Sequence, residues 1–150
     1  MPSSHDFIKD KRNKNIKIFI NNKFYQRDNA QISVFDSGFL LGDGVWSGIR
    51  YHNNKFLFLK DHLERLFDDA KKISLKIHLS KKEITKILLN TVKINKMKTD
   101  VHIRLVVSRG IKSTPYQDPA FTISKPTIVV IPEYKPVSYT HLTLPTILLV

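Results

Sequence analysis

With 150 residues, 41% of them hydrophobic and none a cysteine, the chain has apolar material for one domain core and too little length for two; disulfides and thiolate metal sites are excluded. The formal charge of +12 would suit phosphates, yet its Lys and Arg are scattered, with no aromatic-spaced basic stripe or zinc module beside them. A basic nucleic-acid-binding module is therefore kept only as a rival reading, and no nucleic-acid partner is expected.

The first 15 residues read as a polar arm, because their Lys, Asn and Asp content cannot bury enough apolar area to offset ordering. They contain no apolar signal core, and a cytoplasmic location is the expectation. A single domain is expected over 16–136. Ile16, Ile18 and Ile20 alternate with Lys17 and Phe19, and Asn21-Asn22 then turns the chain into Lys23-Phe24-Tyr25, a hairpin signal. A short strand is predicted from Ile32 to Phe35.

Asp36 to Gly44 carries glycines at 38, 42 and 44 and reads as turns. A dinucleotide loop is ruled out: the next glycine, Gly48, comes one residue too late for G-x-G-x-x-G, and a strand follows instead of a helix. Along Val45 to Tyr51 the two-residue period places Trp46, Gly48 and Arg50 on one face and Val45, Ser47, Ile49 and Tyr51 on the other. A face with an aromatic, a gap and a cation suits either a ligand wall or a strand end with a packed Trp and a surface Arg. Asn53-Asn54 marks a second hairpin, into Lys55 to Leu59.

Asp61 with Glu64 reads as a capping box opening a helix from about Lys60 to Leu75, with Leu63, Leu66, Phe67, Ala70 and Ile73 on its apolar side. Ser80 with Glu83 repeats the signal for a helix over about 81–95 that buries Ile84, Ile87, Leu88 and Ile94. Arg65 falls roughly opposite the first helix's apolar stripe. It is either solvated and paired with Asp61 or Asp69, or directed at an oxyanion, which its planar fork suits. Val101 to Ser108 alternates again, with Val101, Ile103, Leu105 and Val107 on one face and His102, Arg104 and Val106 on the other. His102 has no second ligand at a metal-like spacing, so no metal site is expected. A loop set by Gly110, Pro115 and Pro119 leads to a buried-type strand, Thr127 to Ile131.

Three segments, LGDGVWSGIR, FLFLKDHLERLFDDAKKI and VHIRLVVSRG, in this order and at these separations, resemble the N-terminal small domain of the fold-type IV, pyridoxal-phosphate-dependent class IV aminotransferases. That group includes branched-chain aminotransferases, D-amino-acid aminotransferases and aminodeoxychorismate lyase. The resemblance covers about 16–136 and implies an α+β fold, an antiparallel sheet with two helices. It also implies pyridoxal 5'-phosphate as cofactor, an amino acid and a 2-oxo acid as substrates, a homodimer when full length and no membrane partner. By resemblance Arg65 binds the cofactor phosphate. Trp46, Gly48, Arg50 and Arg104 match substrate-pocket positions of the branched-chain type, and Arg109 matches the carboxylate-binding arginine of the D-amino-acid type. Ser47 stands where branched-chain members carry Glu, Leu41 and His102 where they carry Tyr. The expected activity is exchange of an amino group between an amino acid, branched-chain-like or D-, and a 2-oxo acid, with an aminodeoxychorismate lyase type as the alternative.

The same resemblance implies that the lysine anchoring the cofactor as a Schiff base belongs to a second domain absent here, so no catalytic residue is assigned and the chain by itself is expected to be inactive. VSYTHLTLPTILLV, residues 137–150, carries no Lys, Arg, Asp or Glu, is too short to span a bilayer, and reads as a non-native tail.

Overall fold

The computed structural model describes residues 7–136. Asparagine pairs make its tight turns. Ile20 faces Lys23 across Asn21-Asn22, joining β1 (Lys17–Ile20) to β2 (Lys23–Gln26). His52 faces Lys55 across Asn53-Asn54, joining β3 (Gly44–His52) to β4 (Lys55–Phe56). Asn21, Asn53 and Asn54 take φ of 56°, 50° and 62°, the left-handed region that asparagine tolerates and that suits hairpin twist.

With β5 (Val101–Ser108) and β6 (Thr127–Tyr134) these strands make one antiparallel sheet in the order β2-β1-β6-β5-β3-β4. The last strand runs past the expected end at Ile131, through Pro132 to Tyr134. β1 pairs with β6 only at Phe19↔Val130 and Ile20↔Val129, so one side of β6 has no ladder at Pro132, whose missing N–H is tolerated there.

Beyond that point the Asn13 amide takes over, donating to the Tyr134 carbonyl (3.0 Å) and accepting from the Tyr134 N–H (2.7 Å). Lys11–Asn15, read in the sequence as part of a polar arm, accordingly forms a 3-10 turn whose cap, Asp10, accepts from the Arg12 N–H. Polar side-chain bonds order these residues without apolar burial.

One face of the sheet is covered by α2 (Leu59–Lys72) and α3 (Lys81–Ile94). Leu63, Leu66 and Ala70 of α2 and Ile84, Leu88 and Val92 of α3 are buried with Ile49, Ile103, Leu105, Val107 and Val130 of the sheet. The capping box at Ser80 and Glu83 forms, with both reciprocal bonds. The one expected at Asp61 and Glu64 does not. α2 starts earlier, after Phe58 in left-handed conformation, which leaves Asp61 inside the first turn, where a negative charge still favours the helix dipole. Ile73 and Ile94, expected on apolar faces, are 39% exposed because they lie at the helix ends.

Both helices stop without glycine. The Leu75 N–H reaches the Ala70 carbonyl and the Ser74 N–H that of Lys71; Met97 and Lys96 repeat this with Val92 and Lys93. Ser74 and Lys96 hold the left-handed position, so each end is a Schellman motif with a non-glycine residue.

Two expectations between β2 and β3 are corrected. Ile32 to Phe35 is not a strand, because Ser33 closes a local turn: its hydroxyl accepts from the Phe35 N–H and its carbonyl from the Asp36 N–H. Within the expected turns a short helix, α1 (Ser37–Leu41), forms, making three α-helices among the described residues where two were predicted. Buried Asp36 caps it by accepting from the Gly38 N–H at 2.8 Å, and Gly42, at φ 65°, ends it.

Candidate cofactor and substrate site

The register decides which side chains meet. β3 and β5 pair Trp46 with Val106, Gly48 with Arg104 and Arg50 with His102; β5 and β6 pair Val106 with Val129 and His102 with Glu133. Directly opposed residues share a face, so Trp46, Gly48, Arg50, His102, Arg104, Val106, Val129 and Glu133 lie together on the face that the helices leave open. The face expected from β3 alone is thus observed and extended across three strands.

Trp46 is 59% exposed. Arg104 stacks on it, with Cζ 4.2 Å from the ring centroid, a cation–π contact that fixes the guanidinium plane. Gly48 has a specific reason to lack a side chain: a Cβ there would stand 2.8 Å from His102 Nε2. The gap that the sequence left open to a ligand wall or an ordinary strand end therefore holds the imidazole of the neighbouring strand. Arg50 donates to the Lys135 carbonyl. His102 is pushed down to about 4, first by burial and then by Arg50, Lys135 and Arg104, with Glu133 opposing; at neutral pH it is an uncharged group among cations. Beside Trp46 the open face sinks into a groove of about 220 Å³ lined by Ile32, Phe39, Trp46, Val106 and Val129.

Arg65 sits elsewhere. It is on α2, exposed, and Asp69 faces Lys72 (3.4 Å) instead of Arg65. Arg65 forms no ion pair with a carboxylate among the described residues; its Nη2 lies 3.4 Å from Nδ1 of His62. That nitrogen also lies 3.1 Å from Oγ of buried Ser47, on the covered face of β3. Burial, reinforced by the Arg65 charge and opposed by Asp61, holds the His62 pKa below the ordinary histidine range.

Arg109 is in a third place. It follows β5, and its guanidinium makes a forked pair with Asp43 (2.7 and 3.1 Å) while donating to the carbonyls of Ile73 and Ser74 after α2. It ties the segment between α1 and β3 to the end of α2. The structure therefore gathers Trp46, Gly48, Arg50 and Arg104, adds His102, and places Arg65 and Arg109 apart from them. In the sequence Asp43 carries no such signal, His62 only its place one helical turn before Arg65, and Ser47 only its match to a Glu of branched-chain members. Among the described residues no group of three His, Cys, Asp or Glu side chains could hold a metal ion, and no helix is long and apolar enough to cross a membrane.

Comparison with known proteins identifies the family. The family model described as amino-transferase class IV matches residues 44–149, so the chain belongs to the class IV aminotransferases. The matched span includes most of segment 137–150, read above as a non-native tail and lying outside the described residues.

A protein of Methanocaldococcus jannaschii, provisionally named a branched-chain-amino-acid aminotransferase, is 44% identical over 96 residues, covering 64% of this chain and 33% of its own length. A D-alanine aminotransferase of Listeria monocytogenes is 35% identical over 98 residues, covering 65% of this chain and 34% of its own. The solved branched-chain aminotransferase of Thermoproteus uzoniensis with norvaline superposes with a TM-score of 0.67 at 26% identity, over 83% of this chain and 41% of that one. The chain thus spans about a third of these curated relatives.

Proposed function

We propose that this chain is the small domain of a pyridoxal-phosphate-dependent aminotransferase that exchanges an amino group between an amino acid and a 2-oxo acid. Arg65 is the observation that carries this reading. A cofactor phosphate needs an exposed cation that no carboxylate already neutralises; among the described residues no carboxylate pairs with exposed Arg65, whose guanidinium meets the His62 imidazole. Its planar fork suits a phosphate. The bound cofactor would supply an electron sink for the substrate α-carbon. This chain's residues would bind and orient: Arg65 at the phosphate, Trp46 and Arg104 as an aromatic and cationic wall, with Gly48 and Arg50 framing the same face.

The wall favours the branched-chain-like type over the D-amino-acid type, because Arg104 is exposed on the open face whereas the Arg109 guanidinium is engaged with Asp43 and two carbonyls. The group that anchors the cofactor is proposed to come from a further domain of a longer, homodimeric protein, in keeping with the third of the relatives' length that this chain spans. The test is to mix the purified chain with pyridoxal phosphate. The expected result is binding that Arg65→Ala weakens at least tenfold, without transamination of branched-chain or D-amino acids. A borohydride-trappable lysine adduct with turnover would overturn the assignment of the anchor to a further domain. Pyridoxal phosphate binding indifferent to Arg65→Ala would overturn the phosphate role.

A further inference from the structure

Ser47, His62 and Arg65 form a relay from the sheet to the helix surface. Ser47 is 1% exposed and held in the β3 ladder opposite Leu105, so its hydroxyl is a rigid point. Its Oγ and the Arg65 Nη2 both approach the same atom, Nδ1 of His62, at 3.1 and 3.4 Å. A guanidinium can only donate, whereas a hydroxyl can donate or accept. Both contacts are hydrogen bonds at once only if Nδ1 carries no proton, the imidazole being the Nε2–H tautomer, and the two donors share its single lone pair, the Ser47 hydroxyl at the shorter distance and the guanidinium at the longer. With a proton on Nδ1, the Ser47 bond could persist, but an N–H would oppose an N–H at Arg65.

We propose that His62 is a positioning residue for Arg65: its unprotonated Nδ1, fixed by the Ser47 hydroxyl, accepts from the guanidinium and limits where that cation can point. This rests on the reading of Arg65 as a phosphate ligand. The surroundings keep Nδ1 free. The charges acting on the ring are Arg65, which together with burial disfavours protonation, and Asp61, which opposes them; both belong to α2, and the β3 group in contact, Ser47, is uncharged. The 3.4 Å contact is at the long end of a hydrogen bond, which suits a cation that must be oriented yet still turn its other N–H groups to an anion.

The test uses the full chain, labelled with nitrogen-15 and titrated with inorganic phosphate. In the wild type, His62 Nδ1 should resonate as a pyridine-type nitrogen at neutral pH, and acid should protonate it and loosen Arg65. His62→Leu should weaken phosphate binding about tenfold and lower the order of the Arg65 Nε–H without phosphate. His62→Asn, whose Oδ1 can stand in for Nδ1, should restore most of both. A protonated Nδ1 in the wild type overturns the inference. So does Arg65 order in His62→Leu equal to the wild type, or phosphate binding that His62→Leu leaves unchanged while Arg65→Ala abolishes it. Phosphate binding unchanged in Arg65→Ala overturns the phosphate reading itself; the tautomer and the order of Arg65 then still decide whether His62 positions it.

Discussion

The two faces of the sheet are built from alternate residues of the same strands and obey different rules. On the covered face Ile49, Ile103, Leu105, Val107 and Val130 are fully enclosed by α2 and α3, with the buried hydroxyl of Ser47 among them. On the open face stand an exposed Trp, two arginines, a carboxylate and an imidazole. The difference teaches where sequence change is costly: truncation on the covered face opens a cavity, while truncation on the open face mostly exposes one side chain to water in place of another.

The comparison breaks if a covered-face change proves cheap. Leu105→Ala, at a covered-face site with no exposure, should cost about 2–5 kcal/mol in a denaturant melt. At the rim between the faces, Arg109→Ala strands Asp43 and the carbonyls of Ile73 and Ser74, and about 2 kcal/mol should be lost; calorimetry on both variants would rank them. Gly48→Ala is the open-face exception, since its Cβ would meet His102. It should cost about 1–3 kcal/mol, and a double variant with His102→Ala should recover much of that, a non-additivity that the contact requires. Trp46→Ala, at an already exposed ring, should change stability by only about 0.5–1 kcal/mol, the scale of its cation–π pair.

Acid sharpens the contrast further. His102 is at about 4 in the folded chain against an ordinary 6.5, and His62 and His78 are also lowered, with burial first among the causes for all three. Between those values the unfolded chain binds more protons than the folded one, so stability should fall as pH drops from 6.5 toward 4 and be insensitive to these groups above 6.5. Replacing His102 with Gln should flatten that slope in melts taken across the interval. An unchanged slope would place the acid sensitivity in other groups.

Much of the fold is legible residue by residue. The Asn pairs, the alternation in β3 and β5 and the Ser80–Glu83 cap are short-range features, and the physics that reads them is local. Expectations that depend on partners fare differently. Ile32 to Phe35 has strand composition but closes on Ser33; Asp61 looks like a cap but lies inside a helix that starts from Phe58; Lys11–Asn15 is too polar to bury but is ordered by Asn13 on Tyr134. Each outcome was set by a bond that composition does not encode.

The site divides in the same way. The sequence by itself determined that Trp46, Gly48 and Arg50 share a face, that His102 and Arg104 share another, and that Arg65 points away from its own helix's core, because side-chain direction follows from the period of a strand or a helix. Only the tertiary structure decided that the first two sets are one face, that His102 fills the space over Gly48, that Arg109 is engaged by Asp43, and that Ser47 reaches Arg65 through His62. Those outcomes depend on pairing register and on which helix lies against which strand, and both are fixed by contacts between residues far apart in the chain.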